Sequence, residues 1–460
     1  MLSQLSFLVG YWCLGLVSVV VHASPLASVT TAWGTRALYD KGITDRFDEG
    51  SDTVSVLVQI RDVLNPSAFA KSSGQVVDST AFYEGLGRHS KDSSLGVQAL
   101  LRDLSAEFTY SHHFRLSNTY VIDASRRLVE ALVQLPEVYS IRRNAAFRVN
   151  DKERSTGAVS SFSNKDGGSG VSWNANAIGA AESWAKGLNG TGLLFASADS
   201  GVTWEHPALK SNYLAVGSNG IGIAPGASWM ACRNMYNGVG RPEYYLACLE
   251  FFLAPTDVNG KNPDPARRPH VINNSYGCTS AEFCDQFTFK AAVGALTAAG
   301  VLMVASAGNS ALSSADTCKS VVNPPAIDAR VISVGSLRQS GLIYETSSRG
   351  SVPGRGPTHR GVDISAPGVM IRGAIPPAAY AQRTGTSMAA SHIAASALIV
   401  LQACPHLLRR TVDVGATLQQ TAFPLTTTDG CNGDKNDTIP NSTYGYGKVN
   451  VTAAVLRCQD

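Results

Sequence analysis

Several features that would place a chain in a functional class are scarce or missing here. Charged residues make up 16% of the 460 residues and the net charge is +3 at pH 7, which gives no electrostatic case for binding nucleic acid or acidic membranes. No cysteine pair has the C-x-x-C spacing of a metal site, and no internal repeat is present. After the N-terminal region, no apolar run approaches the roughly 20 residues of a membrane-spanning helix. With 44% hydrophobic residues, the chain suits one large globular domain plus a smaller one.

The N-terminal region has the pattern of a secretory leader. Residues 2–21 are mostly apolar, and Val21 and Ala23 stand at the third and first positions before Ser24, where a signal peptidase prefers compact residues. The sequence therefore predicts a signal peptide over residues 1–23 and a secreted, extracellular product. An N-terminal membrane anchor is the alternative, because no Lys or Arg precedes the apolar run.

Loss of the leader would remove Cys13 and leave eight cysteines. They are Cys232, Cys248, Cys278, Cys284, Cys318, Cys404, Cys431 and Cys458. An even number in a secreted chain suggests up to four disulfides with the pairing open, and Cys278 with Cys284 would form a short loop. Glycosylation sequons begin at Asn189, Asn436, Asn441 and Asn450. Another at Asn273 follows a predicted buried strand, so we expect it to remain unmodified.

The first 150 residues predict a small α+β domain. Strands are predicted at 54–60, 118–123, 138–141 and 146–149, and helices at 93–107 and 127–135. Residues 24–150 therefore read as one unit with two helices on one sheet. Residues 151–172 are rich in Ser, Gly and charge, which is typical of an exposed, protease-accessible linker.

From residue 173 to 460 the pattern predicts a doubly wound α/β domain. Apolar strands at 193–198, 229–232, 270–273, 301–306 and 331–334 alternate with helices at 243–252, 284–299 and 386–404. This alternation favours a parallel sheet with its sites at the carboxyl ends of the strands. Asp199, Asn274-Ser275 and Asn309 all fall there.

Ser387 opens the last of these helices, where backbone N–H groups and the helix dipole stabilise an anion. A serine there suits acyl transfer if a base and a carboxylate lie nearby. Taken singly, each residue has a structural alternative: Asp199 and Ser387 could cap helices or turns, and Asn309 beside Gly308 could form a left-handed turn. Their shared order makes the joint structural explanation weak.

Six sequence motifs, found in this order, resemble those of the subtilisin-like serine peptidases (subtilases), and those of the bacillopeptidase-F-like branch in particular. They are Asp199-Ser200-Gly201-Val202, Gly222-Ile223-Ala224-Pro225-Gly226, Asn274-Ser275-Tyr276-Gly277, Ala307-Gly308-Asn309, Ser347-Ser348-Arg349-Gly350 with Ser365-Ala366-Pro367-Gly368, and Gly385-Thr386-Ser387-Met388-Ala389. The resemblance implies a serine endopeptidase acting on proteins or peptides, preceded by a propeptide that serves as an intramolecular inhibitor.

The resemblance also implies roles. Ser387 would be the nucleophile, Asp199 would orient the base, and Asn309 would bind the oxyanion, a kind of donor whose removal lowers turnover about 10²–10³-fold in subtilisin. Ser275, Tyr276 and Gly277 would pair with substrate backbone. No cofactor is implied; calcium is common in the family, but no acidic cluster in this sequence identifies a site. Propeptide cleavage would fall somewhere between residues 149 and 172.

One element of the family pattern is missing. No His-Gly-Thr-His-like segment lies between Asp199 and Gly222, which are only 23 positions apart, and the sequence runs from Tyr213 directly into Leu214. The resemblance implies that a core helix and the catalytic base are both lost at this junction.

We expect no other histidine to replace the base. His206 belongs to a structural His-Pro pair, His392 is five residues past Ser387 on the same helix and so faces elsewhere, and His270, His359 and His406 match no family role. Loss of the base alone lowers turnover by about 10⁶ in subtilisin.

Three explanations compete for the missing histidine: an incomplete sequence whose full product is an active protease, a pseudoprotease that binds peptides without cutting them, and a defective splice form. An unrelated serine hydrolase is disfavoured, because no Gly-x-Ser-x-Gly elbow occurs. In the first unit, His112-His113 fits two surface histidines better than a pH sensor, and Arg142-Arg143 fits a strand end better than a processing site.

Overall fold

The computed structural model describes residues 26–30, 36–64, 77–148, 171–210, 222–352 and 360–459. The predicted signal peptide, nearly all of the predicted linker, His359 and the junction between Tyr213 and Leu214 lie outside the described residues.

The N-terminal part of the chain forms a six-stranded sheet in the order β1-β2-β6-β3-β5-β4. Its strands are β1 (Leu26–Thr30), β2 (Arg36–Asp40), β3 (Val54–Ile60), β4 (Phe108–Phe114), β5 (Thr119–Ala124) and β6 (Val138–Arg143). Its helices are α1 (Gly42–Asp48), α2 (Ser79–Asp92), α3 (Leu95–Asp103) and α4 (Arg126–Val133). Val56, Val58 and Ile60 of β3 share a core with Leu128 and Leu132 of α4. Alternation along β3 thus places one face of the sheet under the helices, as expected of an α+β unit.

Several elements of this unit differ from the prediction of four strands and two helices. β1, β2, β4, α1 and α2 were not predicted, and the strand predicted at 146–149 lies outside this sheet. The helix expected over 93–107 spans only Leu95–Asp103, and α2 precedes it. Strand β4 was not predicted, because Tyr110, Ser111 and His112 leave it without an apolar face and are exposed.

The larger part of the chain is built on a parallel six-stranded sheet in the order β15-β14-β13-β12-β8-β9. Its strands are β8 (Leu194–Asp199), β9 (Ser228–Arg233), β12 (Val271–Asn274), β13 (Leu302–Ser306), β14 (Val331–Leu337) and β15 (Ile364–Pro367). The helices are α5 (Trp173–Ala177), α6 (Ala180–Ala185), α7 (Pro242–Leu253), α8 (Lys290–Ala298), α9 (Thr386–Ala403), α10 (Thr411–Gln420) and α11 (Val451–Arg457). A hairpin, β16 (Ile371–Ile375) and β17 (Ala379–Arg383), precedes α9.

Helices cover both faces of this sheet, so the predicted doubly wound architecture is confirmed. Ile272 and Met303 pack with α7 and α8 on one face, whereas Val271 and Val304 pack with α9, α10 and α11 on the other. Neighbouring residues of buried strands point to opposite faces, which is why these strands are apolar throughout. Among the described residues, α9 is the one helix long and apolar enough to cross a membrane, and 67% of it is buried in the core.

Four disulfides link all eight cysteines outside the predicted leader. The pairs are Cys232–Cys248, Cys278–Cys284, Cys318–Cys431 and Cys404–Cys458. The pairing of Cys278 with Cys284 confirms the predicted short loop. Helix α8 begins at Lys290 rather than at the predicted Cys284. The Asp285 carboxylate accepts hydrogen bonds from the N–H groups of Phe287 and Thr288, and these residues therefore form a turn instead of the first part of the helix.

The two parts of the chain meet along α7. Leu57, Phe82 and Val121 of the first part share one core with Leu249 and Phe252 of α7. A small three-stranded sheet also joins them, in the order β10-β11-β7, from β10 (Met235–Tyr236), β11 (Val239–Gly240) and β7 (Phe147–Arg148). The last described strand of the first part is therefore an edge strand on the second.

Candidate active site

The candidate site lies at the carboxyl edge of the parallel sheet. β8 ends at Asp199, β12 leads into Ser275, and β13 leads into Gly308 and Asn309. Parallel strands end at one edge, so the topology brings these residues to the same side of the sheet. The side chains of Asp199 and Ser275 are half-buried and that of Asn309 is exposed.

Ser387 is the second residue of α9. Its Oγ donates a hydrogen bond to the backbone oxygen of Ser275 at 3.1 Å, and the Ser275 Oγ donates to the backbone oxygen of Ser387 at 3.1 Å. This reciprocal pair fixes the start of α9 against the end of β12. The half-buried Ser387 hydroxyl therefore lies at a helix N-terminus, where free backbone N–H groups favour negative charge.

The Asn309 amide has a defined orientation. Its Oδ1 accepts hydrogen bonds from the N–H of Thr386 at 2.9 Å and from the Thr386 Oγ1 at 3.1 Å. The Nδ2 group has no hydrogen bond among the described contacts, and the Asn309 side chain is exposed. Gly308 permits this geometry, because its φ is +110° and a Cβ there would lie 2.9 Å from the Ser348 Oγ.

The segment Ser275–Gly277 is fixed by packing against neighbouring side chains. The buried Tyr276 ring stacks on Tyr245 with centroids 4.7 Å apart and planes 12° apart. Burial raises the pKa of Tyr276, and the Glu282 and Asp199 carboxylates add to this effect. Gly277 lies so close to Asn323 that a Cβ would come within 2.8 Å of its side chain. The segment thus offers a firmly supported stretch of backbone beside Ser387.

Asp199 closes β8 next to β9. Its Oδ1 accepts a hydrogen bond from the N–H of Ser200 at 2.6 Å, and its backbone oxygen accepts one from the N–H of Asn234 at 2.9 Å. These contacts hold the carboxylate at the same edge of the sheet as Ser275.

Asn234 is a buried polar residue at this edge that the sequence analysis did not single out. Its exposure is 0%, and neither amide atom has a hydrogen-bond partner within the described residues. The side chain lies beside the Tyr276 hydroxyl, short of hydrogen-bond geometry. Its backbone N–H donates to the Asp199 carbonyl oxygen at 2.9 Å, so the residue lies beside the end of β8. No motif distinguishes it, because its burial arises only from tertiary packing.

His206 and His270 bond to groups away from Ser387. For His206, Nε2 lies 2.9 Å from the Ala379 carbonyl oxygen, and Nδ1 accepts a hydrogen bond from the Ala208 N–H at 3.1 Å. For His270, Nδ1 accepts one from the Leu194 N–H at 3.0 Å.

His392 follows Ser387 by little more than one helical turn but faces the interior. Its Nδ1 lies 2.8 Å from the Met388 carbonyl oxygen and its Nε2 lies 2.9 Å from the Asn174 Nδ2. Burial lowers the pKa of His392 to about 4, so the ring is neutral at pH 7, donates through Nδ1 and accepts through Nε2. Both ring nitrogens are thereby occupied, and the Ser387 hydroxyl bonds to Ser275 instead.

No group of three or more His, Cys, Asp or Glu side chains that could hold a metal ion occurs in the part of the chain that the structure describes.

Strand β7 of the first part adds to the small sheet of the second part. It pairs antiparallel with β11, with Phe147 opposite Gly240 and Arg148 opposite Val239. The first part therefore contributes an extended edge strand to β11.

The amino-acid sequence was compared with known protein families and with known proteins. A model of the subtilase family matches residues 214–447, about half of the chain. This match begins at the residue directly after Tyr213, so it leaves out Asp199 and includes Ser275, Asn309 and Ser387.

Curated relatives are bacterial proteases. The chain is 30% identical over 473 residues to bacillopeptidase F of Bacillus subtilis (strain 168), a match that covers 89% of this chain and 32% of that protein. It is 27% identical over 386 residues to an alkaline protease of Alkalihalobacillus alcalophilus, covering 78% of this chain and 84% of that protein. It is 29% identical over 312 residues to subtilisin BL of Lederbergia lenta, covering 62% and 98%. The chain thus spans about a third of the length of bacillopeptidase F.

Proposed function

This chain belongs to the subtilase family of serine peptidases, and from that premise we propose that it is a secreted subtilisin-like serine endopeptidase that lacks its catalytic histidine in the present form. The observation that carries the proposal is the arrangement of Ser387, Asn309 and Ser275 around the start of α9. Its substrates are proteins or peptides, and no cofactor takes part in the reaction. Calcium, where present, would only support the fold.

In the proposed reaction, the Ser387 Oγ attacks the carbonyl carbon of the scissile bond. Negative charge develops on the carbonyl oxygen, and this oxygen accepts hydrogen bonds from the Asn309 Nδ2 and the Ser387 N–H. The Oδ1 of Asn309 is already bonded to Thr386, so Nδ2 is oriented before substrate arrives and little reorganisation is needed. Ser275, Tyr276 and Gly277 pair with the substrate backbone.

The attack also requires a base that takes the Ser387 proton, with Asp199 to orient it. In this chain the Ser387 hydroxyl donates to a backbone carbonyl instead, and a carbonyl oxygen is too weak a base to accept the proton. Only 23 positions separate Asp199 from Gly222, where the family pattern places a His-Gly-Thr-His-like segment. We propose that the complete gene product carries a histidine-bearing segment between Tyr213 and Leu214.

We further propose that residues 24–150 form an inhibitory propeptide behind a signal peptide at 1–23, followed by a processing linker at 151–172. Three contacts support a docked inhibitor. Strand β7 occupies β11, the Asn144 Nδ2 donates to the Glu243 carboxylate at 2.9 Å, and the nearly buried Arg142 guanidinium bonds to the Asp285 carboxylate at 2.6 Å. The burial of Arg142 also argues against the Arg142-Arg143 pair as a processing site.

A second candidate function is a pseudoprotease that binds peptides without cleaving them. The observation that favours it is the well-packed segment Ser275–Gly277 beside a serine whose hydroxyl donates to a backbone carbonyl oxygen. This function would leave peptide affinity in place and abolish turnover.

Sequencing full-length transcripts across the codons for Tyr213 and Leu214 separates the two. An inserted segment encoding a His-Gly-Thr-His-like motif would support the active endopeptidase. An uninterrupted junction in all transcripts would reject it and leave the peptide-binding protein.

A further inference from the structure

The five glycosylation sequons differ in how deeply their asparagine side chains are buried and in the hydrogen bonds that these side chains make. They begin at Asn189, Asn273, Asn436, Asn441 and Asn450. An N-linked glycan attaches through Nδ2, so a site in the folded protein needs that atom to be accessible and its hydrogen bonds to be dispensable.

Asn441 fails both requirements, contrary to what its sequon alone suggests. Its exposure is 0%, and its Nδ2 donates to the carbonyl oxygens of Leu425 at 2.7 Å and Thr438 at 3.2 Å. Its Oδ1 accepts from the N–H groups of Thr443 and Tyr444. A glycan on Nδ2 would remove one of the two donated hydrogen bonds, and the buried side chain leaves no space for it. This side chain holds the loop together through its hydrogen bonds.

Asn273 fails as well. It lies in the buried strand β12 with 3% exposure, and its Nδ2 donates to the Ser275 Oγ at 2.8 Å. A glycan there would displace the core of the parallel sheet.

Asn189 and Asn450 are half-buried, with their Oδ1 atoms engaged in local structure. The Asn189 Oδ1 accepts from the N–H and Oγ1 of Thr191, and the Asn450 Oδ1 caps α11 by accepting from the Ala453 N–H at 3.0 Å.

Asn436 is the one exposed asparagine of the five, and its neighbours Lys435 and Asp437 are exposed as well. No hydrogen bond of its side chain occurs among the described contacts. The sequon hydroxyl of Thr438 accepts the Lys435 N–H at 2.8 Å, so the turn is closed by residues on either side and Asn436 itself contributes nothing to it. A large polar group on this side chain would extend into solvent.

We propose that the folded protein carries an N-linked glycan on Asn436 and none on Asn273 or Asn441. The donor is an oligosaccharide joined through a diphosphate to a lipid. The Asn436 Nδ2 bonds to the anomeric carbon, whose bond to the diphosphate oxygen breaks, and the proton lost from Nδ2 balances the charge of the released lipid diphosphate. This inference rests on secretion, which is part of the proposed function, and is independent of peptidase activity.

The test uses the full chain expressed in a eukaryotic secretory cell line behind a heterologous signal peptide, so that entry does not depend on residues 1–23. Peptide N-glycosidase converts each glycan-bearing asparagine to aspartate, and peptide mass spectrometry locates the conversions. We expect conversion at Asn436, and unchanged asparagine at 273 and 441. An unmodified Asn436, or a conversion at Asn441 or Asn273, would overturn the proposal.

Two variants sharpen the result. Asn436→Gln removes the acceptor and should abolish the conversion at this position without lowering yield. Thr438→Ser keeps both the sequon and the hydroxyl, so it should retain the glycan. A parallel expression with the native leader tests secretion separately: retention of that form in the cytosol would contradict the proposed secretion without touching the assignment of Asn436.

Discussion

The first unit should lose stability in mild acid because of His113, which is half-buried and not the surface histidine that the sequence predicts. The ring of this residue stacks on Tyr120 with centroids 3.8 Å apart, and its Nε2 lies 2.9 Å from the Asn118 Oδ1. Burial lowers the pKa of His113 from 6.5 to about 4, with the positive charges of His112 and Arg115 acting in the same direction. The folded unit therefore holds the neutral ring, whereas the unfolded chain takes up a proton near pH 6.5.

The direction in which stability changes with pH follows from this difference in pKa. The contribution of His113 is fully present above pH 6.5 and is lost as the pH falls from 6.5 toward 4. Between pH 7 and pH 5 the loss is about 2 kcal/mol, since one pKa unit corresponds to about 1.4 kcal/mol. The loss approaches about 3 kcal/mol near pH 4.

Hydrogen exchange followed by mass spectrometry on the full chain measures the opening free energy of β5 peptides at both pH values. The wild type should lose about 2 kcal/mol more than His113→Gln, which cannot titrate. His406→Gln serves as the control, because His406 is exposed on the second part of the chain and should leave β5 unchanged. Equal pH dependence in wild type and His113→Gln would refute the reasoning.

Three further results are expected. Arg142→Ala should weaken retention of the first unit after proteolysis of the linker by roughly 2–3 kcal/mol, because it removes a charged hydrogen bond to Asp285; pull-down of the nicked protein measures this, and unaltered retention would contradict it. Replacing both Cys318 and Cys431 by serine should lower the free energy of unfolding by about 4 kcal/mol, since their disulfide closes a loop of 113 residues; an unchanged denaturation midpoint would contradict it. Phe252→Ala should cost about 3–5 kcal/mol, because this ring is fully buried under the sheet; a loss under about 1 kcal/mol in the same assay would show that the core of α7 rearranges.

Much of the fold could be predicted because its strands are either strictly alternating or continuously apolar. β3 alternates and β13 is buried along its whole length, so both patterns were visible in the sequence. Strand β4 was missed because it is an edge strand with exposed polar residues, which gain their conformation from pairing with β5 rather than from burial. The start of α8 was misplaced because a turn at Asp285 replaces its first residues.

The candidate site divides in the same way. Ser387, Asn309 and Ser275 stand in motifs, and the structure brings them together at the start of α9. The burial of Asn234 could not be predicted, because it is a property of tertiary packing and not of local sequence. The catalytic role of each residue stays a prediction until activity is measured.

We proposed that Ser387 of this chain lacks a base, and a hydrolysis assay on the purified protein measures the consequence. The first unit is removed by limited proteolysis within residues 151–170, and cleavage of a peptide library is compared between the wild type and Ser387→Ala. We expect equal, background hydrolysis in both, since loss of the base lowers turnover by about 10⁶ in subtilisin. Hydrolysis that disappears in Ser387→Ala would contradict it, and would mean that another group in this chain takes the serine proton.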